Sequence, residues 1–136
     1  MSDEIVKKLI EEAKKIAMKN NCCKYSNFTV GVALLDSEGD IYTGFNVENH
    51  GIQSICAERV TFCKALTEGA KNFIALAVVG KNLNDSKLKK TLPCGYCRQF
   101  MSEYVKEDFL IITFDEELNK IDKYTIKELL PESFNL

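Results

Sequence analysis

The feature that most restricts the fold is the uninterrupted apolar run Phe73-Ile74-Ala75-Leu76-Ala77-Val78-Val79, closed by Gly80. A strand with one wet face alternates apolar and polar residues. A run without alternation needs cover on both faces and reads as a central strand. The rest of the chain can supply that cover. From about Asp3 to Asn20, Ile5, Leu9, Ala13, Ile16 and Ala17 recur at helical spacing between Lys and Glu, predicting an amphipathic helix. Phe28 to Leu35 and Ile41 to Phe45 read as a hairpin around the turn Asp36-Ser37-Glu38-Gly39-Asp40. A helix from about Cys56 to Glu68 is stopped by Gly69. A third runs from roughly Cys94, just after Pro93, to Val105. Phe109 to Thr113 is another strand, a weak one lies near Tyr124, and Ile126 to Leu130 forms a short helix before Pro131. The expected fold is α/β, a three-layer αβα sandwich with a mixed central sheet of about five strands.

The chain has 136 residues, 46% of them hydrophobic, and no repeat or linker, so one domain over residues 1–136 is expected. Its 18 Lys and Arg against 20 Asp and Glu leave a net charge of −2. That gives no basic excess to grip nucleic acid or an anionic membrane. No apolar run approaches the roughly 18 residues of a membrane span. Met1 to Ile10 lacks the basic and then apolar pattern of a signal peptide. A cytoplasmic location is expected.

Six cysteines, Cys22, Cys23, Cys56, Cys63, Cys94 and Cys97, stand beside a single histidine, His50. Without an export signal they read as thiols or metal ligands rather than a disulfide framework. Cys94 and Cys97 lie three apart at a predicted helix start, where both sulfurs can reach one point and the free N–H groups favour thiolates. A Cys-x-x-Cys alone is equally a metal site, a redox pair or an accident. Cys56-Ala57-Glu58-Arg59, at a second helix start, offers a third thiolate and a carboxylate. In a first turn both can face one site, although Glu58 also suits ordinary dipole complementation and Cys56 a small core position. Structural zinc closes with four protein ligands, whereas catalytic zinc keeps three and a water. Three thiolates beside one carboxylate fit the catalytic pattern. Cys63, two turns or about 10 Å along from Cys56, is too distant to be the fourth ligand and reads as core. Three thiolates on Zn²⁺ leave a charge of −1. Arg59, three residues after Cys56, and Arg98, directly after Cys97, could offset it by hydrogen bonding to sulfur.

At these residues the chain resembles the small homotetrameric cytidine deaminases that act on free nucleosides in pyrimidine salvage. The likeness covers nearly the whole chain. It runs through Tyr25-Ser26-Asn27-Phe28, Gly44-Phe45-Asn46-Val47-Glu48-Asn49, Cys56-Ala57-Glu58-Arg59, Pro93-Cys94-Gly95-Tyr96-Cys97-Arg98-Gln99 and Glu128 to Phe134. Three cysteine ligands with a non-ligating glutamate are a known pattern of zinc deaminases. The resemblance implies one Zn²⁺ on Cys56, Cys94 and Cys97, with Glu58 as proton shuttle. It implies Asn46 and Glu48 on the sugar 3′-hydroxyl, Phe28 beside the base, and the Ala57 backbone on the pyrimidine edge. Phe134 would complete a neighbouring subunit's pocket, and Arg59 would neutralise the thiolates. Two departures stand out: the loop Asn49 to Ile55 is about one residue short, and Tyr96 replaces a usually small residue.

The implied reaction is hydrolytic deamination of cytidine and deoxycytidine to uridine and deoxyuridine plus ammonia. The nearest rival is a deaminase of another aminopyrimidine nucleoside such as blasticidin S, which the Asn46-Val47-Glu48 element argues against. A non-catalytic zinc module would need a fourth protein ligand. Redox chemistry at Cys94 and Cys97 would leave Cys56 and Glu58 unexplained.

Overall fold

The computed structural model describes residues 1–136. Its elements are α1 (Asp3–Met18), β1 (Phe28–Asp36), β2 (Ile41–Phe45), α2 (Ala57–Thr67), β3 (Phe73–Asn82), α3 (Gly95–Ser102), β4 (Leu110–Asp115), β5 (Lys120–Thr125) and α4 (Ile126–Leu129). The strands form one sheet in the order β2-β1-β3-β4-β5. β3 and β4 run parallel and the other neighbours antiparallel, so the sheet is mixed as expected. The apolar run is its middle strand. Parallel neighbours need a crossover, and here it carries α3.

Successive side chains of a strand point to opposite faces, and the core divides accordingly. Val32, Leu34, Leu76, Val78 and Ile111 meet Phe62 of α2, Cys97 and Met101 of α3 and Ile126 of α4. Ala33, Leu35, Ala75, Ala77, Val79 and Ile112 meet Val6, Leu9, Ile10, Ala13 and Ala17 of α1. This gives helix, sheet and helix layers. The face of α1 differs slightly from expectation. Val6 and Ile10 are buried with Leu9, while Ile5 is exposed and Ile16 is half-buried.

The ends of elements follow hydrogen bonds rather than hydrophobicity. β3 continues past Gly80 because β1 pairs with it as far as Phe28–Asn82. α3 stops at Ser102, whose hydroxyl donates to the Gln99 carbonyl at 2.7 Å. α2 ends where expected, with Gly69 at φ +94°. No helix is long and apolar enough to cross a membrane.

α1 lies on β1 at Gly31, where an added Cβ would run into the Ala13 carbonyl oxygen and sit 2.8 Å from the Ala17 Cβ. Those neighbours belong to a packed helix and cannot swing away. Gly31→Ala is therefore expected to destabilise the fold by about 3 kcal/mol, the upper end for overpacking. Urea unfolding measures this, and an unchanged midpoint would show that α1 can lift off the sheet without cost.

Candidate active site

Cys56 is the N-cap of α2 and Cys94 the N-cap of α3. Their sulfurs lie 3.9 Å apart, so the positive ends of two helices converge on one cluster. Cys97, one turn into α3, completes it from the buried side, and all three sulfurs lie within 4.8 Å of one another. Sulfurs held tetrahedrally at about 2.3 Å from zinc stand about 3.8 Å apart, so the cluster matches that ion in size as well as in donor type.

Protonation points the same way. The Cys56 thiol is pulled down to about 5, first by a hydrogen bond from Cys97, then by Arg59 and Cys94. Cys97 is driven upward because it supplies that proton and because it is buried. Sulfurs sharing a proton are a set that a thiophilic cation can take over, releasing the proton. Burial alone would lower the Arg59 pKa, but hydrogen bonds and charge from Cys97 and Cys56 raise it. Arg98 does not join them. Its guanidinium donates to the Pro93 and Leu129 carbonyls at 2.8 and 3.0 Å, tying α3 to α4. The core reading of Cys63 is also corrected. α2 buries Thr61, Phe62 and Ala65, and Cys63 falls on its exposed side.

Glu58 sits beside the cluster with only 4% of its surface exposed. Burial lifts its carboxyl to about 7, with the Cys56 charge adding to the rise while its own backbone N–H and Arg59 oppose it. A carboxyl poised there can both accept and give a proton at neutral pH. Asn46, Glu48, Cys56, Ala57, Glu58 and Cys94 share the wall of one cavity of about 230 Å³. Ser54, Thr91 and Leu92 join them there, although nothing in the sequence pattern marks them. A larger groove of about 880 Å³ near Phe73 and Tyr104 has no cysteine on its walls. Ala57 opens α2, so its N–H has no helical acceptor and is free for a ligand.

The far end of the cavity is a hydrogen-bond network. Glu48 Oε1 accepts the N–H groups of Tyr25 and Ser26, both at 3.0 Å, and Oε2 accepts the Ser26 hydroxyl at 2.5 Å. Burial alone would raise the Glu48 pKa, but these donors hold it below the usual carboxylate range. Asn46 Oδ1 accepts from Asn20 Nδ2 at 2.7 Å and from the Val30 N–H at 2.9 Å. Asn46 Nδ2 donates to the Phe28 carbonyl at 2.9 Å and reaches Glu48 Oε2 only at 3.5 Å. Sequence spacing assigns no role to Asn20 or Ser26. It places Asn20 in the first helix, yet Asn20 lies beyond that helix and turns its amide into this network.

Two expected site residues lie off this wall. Phe28 begins β1, with its ring against Gly80 and Lys89 Nζ 5.1 Å from the ring centroid. Phe134 is 65% exposed, while Gln99 pins its backbone with bonds of 2.9 and 3.1 Å.

Three clustered cysteine sulfurs beside a buried carboxyl poised near neutrality, on an αβα sandwich, fit a zinc-dependent hydrolase. Residues 3–113 match the cytidine and deoxycytidylate deaminase zinc-binding region, and the chain belongs to that family. It is 38% identical to a cytidine deaminase of Sporosarcina psychrophila, over 96% of this chain and 91% of that one. A blasticidin-S deaminase of Bacillus cereus is 32% identical over 75% of this chain and 74% of its own length. The crystal structure of cytidine deaminase from Burkholderia pseudomallei superposes with a TM-score of 0.81 at 34% identity, covering 98% of this chain and all of that one.

Proposed function

We propose that this chain, as a single domain, hydrolyses cytidine and deoxycytidine to uridine and deoxyuridine with release of ammonia. Zinc is its cofactor, for which Cys56, Cys94 and Cys97 form the candidate site. The observation that carries the reading is Glu58, buried and unspent as a ligand, on a cavity wall shared with Cys56 and Cys94. When bound, zinc supplies a water of lowered pKa. Glu58 accepts the proton of the attacking water on its carboxylate. It passes that proton to the ring nitrogen beside the carbon bearing the amino group, as the oxygen bonds to that carbon. Glu58 then takes the remaining proton of the oxygen now bonded to that carbon and gives it to the amino group, which leaves as ammonia while the ring carbonyl forms. The Ala57 N–H reads the pyrimidine edge, and Arg59 offsets the negative charge of the thiolates.

Asn46 and Glu48 bind the sugar. Every polar position of the Asn46 amide is engaged, and its 3.5 Å contact with Glu48 is the loosest bond it makes. A hydroxyl placed between them accepts from Asn46 and donates to Glu48. A site of this kind rejects analogues that lack the hydroxyl, because its own groups are left unpaired. Zinc-loaded protein is expected to convert cytidine and deoxycytidine, followed by ultraviolet absorbance, and to act poorly on free cytosine and 3′-deoxycytidine. Equal rates on free cytosine would discard the sugar assignment, and turnover of blasticidin S alone would favour the other deaminase. The exposed Phe134, held by Gln99 away from its own cavity, supports a homotetramer in which it closes a neighbour's site. The −2 charge leaves no basic excess for nucleic acid or an anionic membrane, and the proposed location is cytoplasmic.

A further inference from the structure

Tyr96 lies between two of the candidate zinc ligands, as the second residue of α3, and is 71% exposed. An aromatic side chain so far from the core has little packing to hold it. Its ring nevertheless carries the Arg59 guanidinium over its face, with Arg59 Cζ 4.6 Å from the centroid. That is well inside the roughly 6 Å range of a cation–π contact. No carboxylate fixes Arg59. Its Nε is buried without a hydrogen-bond partner, and none of the chain's ion pairs includes it. Beyond the ring, its polar neighbours are the sulfurs of Cys56 and Cys97.

We infer that Tyr96 is a positioning residue for the metal centre, whose ring holds the Arg59 guanidinium against the thiolates and so helps the cluster retain its metal. The inference rests on the reading that Cys56, Cys94 and Cys97 bind zinc. A long, flexible arginine has many rotamers, and each one that leaves the sulfurs removes its charge from them. The ring restricts that choice and keeps water from one face of the cation, where the charge then acts more strongly.

The test is zinc dissociation from the purified protein, followed by competition with a chromogenic chelator at fixed pH. Tyr96→Leu keeps an apolar side chain but loses the π face, and is expected to weaken zinc retention about two- to fivefold. Tyr96→Phe should restore wild-type retention, because the hydroxyl plays no part. In an Arg59→Ala background, Tyr96→Leu should have no further effect, which a merely structural tyrosine would not satisfy. Cobalt-loaded Tyr96→Leu gives a second readout, with an expected shift of the sulfur-to-metal absorption bands. Unchanged zinc retention and an unchanged cobalt spectrum in Tyr96→Leu overturn the inference while leaving the zinc site intact. The inference also fails if Tyr96→Phe behaves like Tyr96→Leu, or if the loss persists without Arg59. A wild-type chain that binds no zinc overturns both the inference and the reading beneath it.

Discussion

Glu58→Gln is expected to keep zinc and fold and to lose deamination by a factor of about 10² or more. Glutamine fills the same space and still hydrogen-bonds, but it cannot carry a proton between water and the ring. The three sulfurs form their cluster without Glu58, so metal content should stay at about one equivalent. Elemental analysis and turnover measured on the same preparation separate the two effects. Wild-type-like turnover would mean that another group moves the proton.

The same substitution has an opposite effect on stability. The Glu58 carboxyl stands at about 7 in the fold against an ordinary 4.5, chiefly because it is buried. The folded chain therefore holds this proton more tightly than the unfolded chain. Between those two values the native state carries more of the proton, and stability falls as pH rises. Above about pH 7 the cost is complete, on the order of 3 kcal/mol for this shift. In metal-stripped protein, Glu58→Gln should match wild type near pH 4.5 and exceed it by about that amount near pH 8. Urea unfolding at the two pH values measures the difference. A gap that does not grow with pH would remove burial of the charged form as the cause of the raised pKa. A residue whose loss ends catalysis yet firms the fold is one whose burial is kept for chemistry.

Much of this architecture is legible in the sequence because it depends on local patterns. The unbroken run from Phe73 to Val79 places β3 at the centre, since only covered faces tolerate such a run. The clustering of Cys56 with the Cys-x-x-Cys pair is legible because helix starts bring the three sulfurs together. The failures lie where distant residues decide. Asn20 continues the helical pattern of α1, but its amide bonds to Asn46, 26 positions away, draw it out of the helix. No local spacing encodes that. Counting two turns from Cys56 to Cys63 assumes that both belong to one helix. Cys56 is a cap in extended conformation, so the count misplaces the buried face. Tyr96 and Arg59 meet only because two helix starts converge, which neither segment reveals alone.

Cys94→Ala is expected to reduce bound zinc from about one equivalent to a small residue, and with it all activity. Position 94 tests the cluster better than position 97. Cys97 is fully buried among Phe62, Met101 and Ile126, so its truncation also removes core packing. Cys94 is exposed, and its sulfur's bond to the backbone is a 3.4 Å contact that accepts the Cys97 N–H at the start of α3. Losing that cap costs about 1 kcal/mol. Metal binding to the native state alone adds about 2.7 kcal/mol when free zinc is 100-fold above its dissociation constant. A chelator should therefore lower the unfolding midpoint of wild type strongly and leave Cys94→Ala unmoved, with the two stripped proteins nearly equal. If Cys94→Ala instead retains its zinc and its response to chelator, a different set of atoms holds the metal. The three sulfurs would then be a thiol cluster beside the true site.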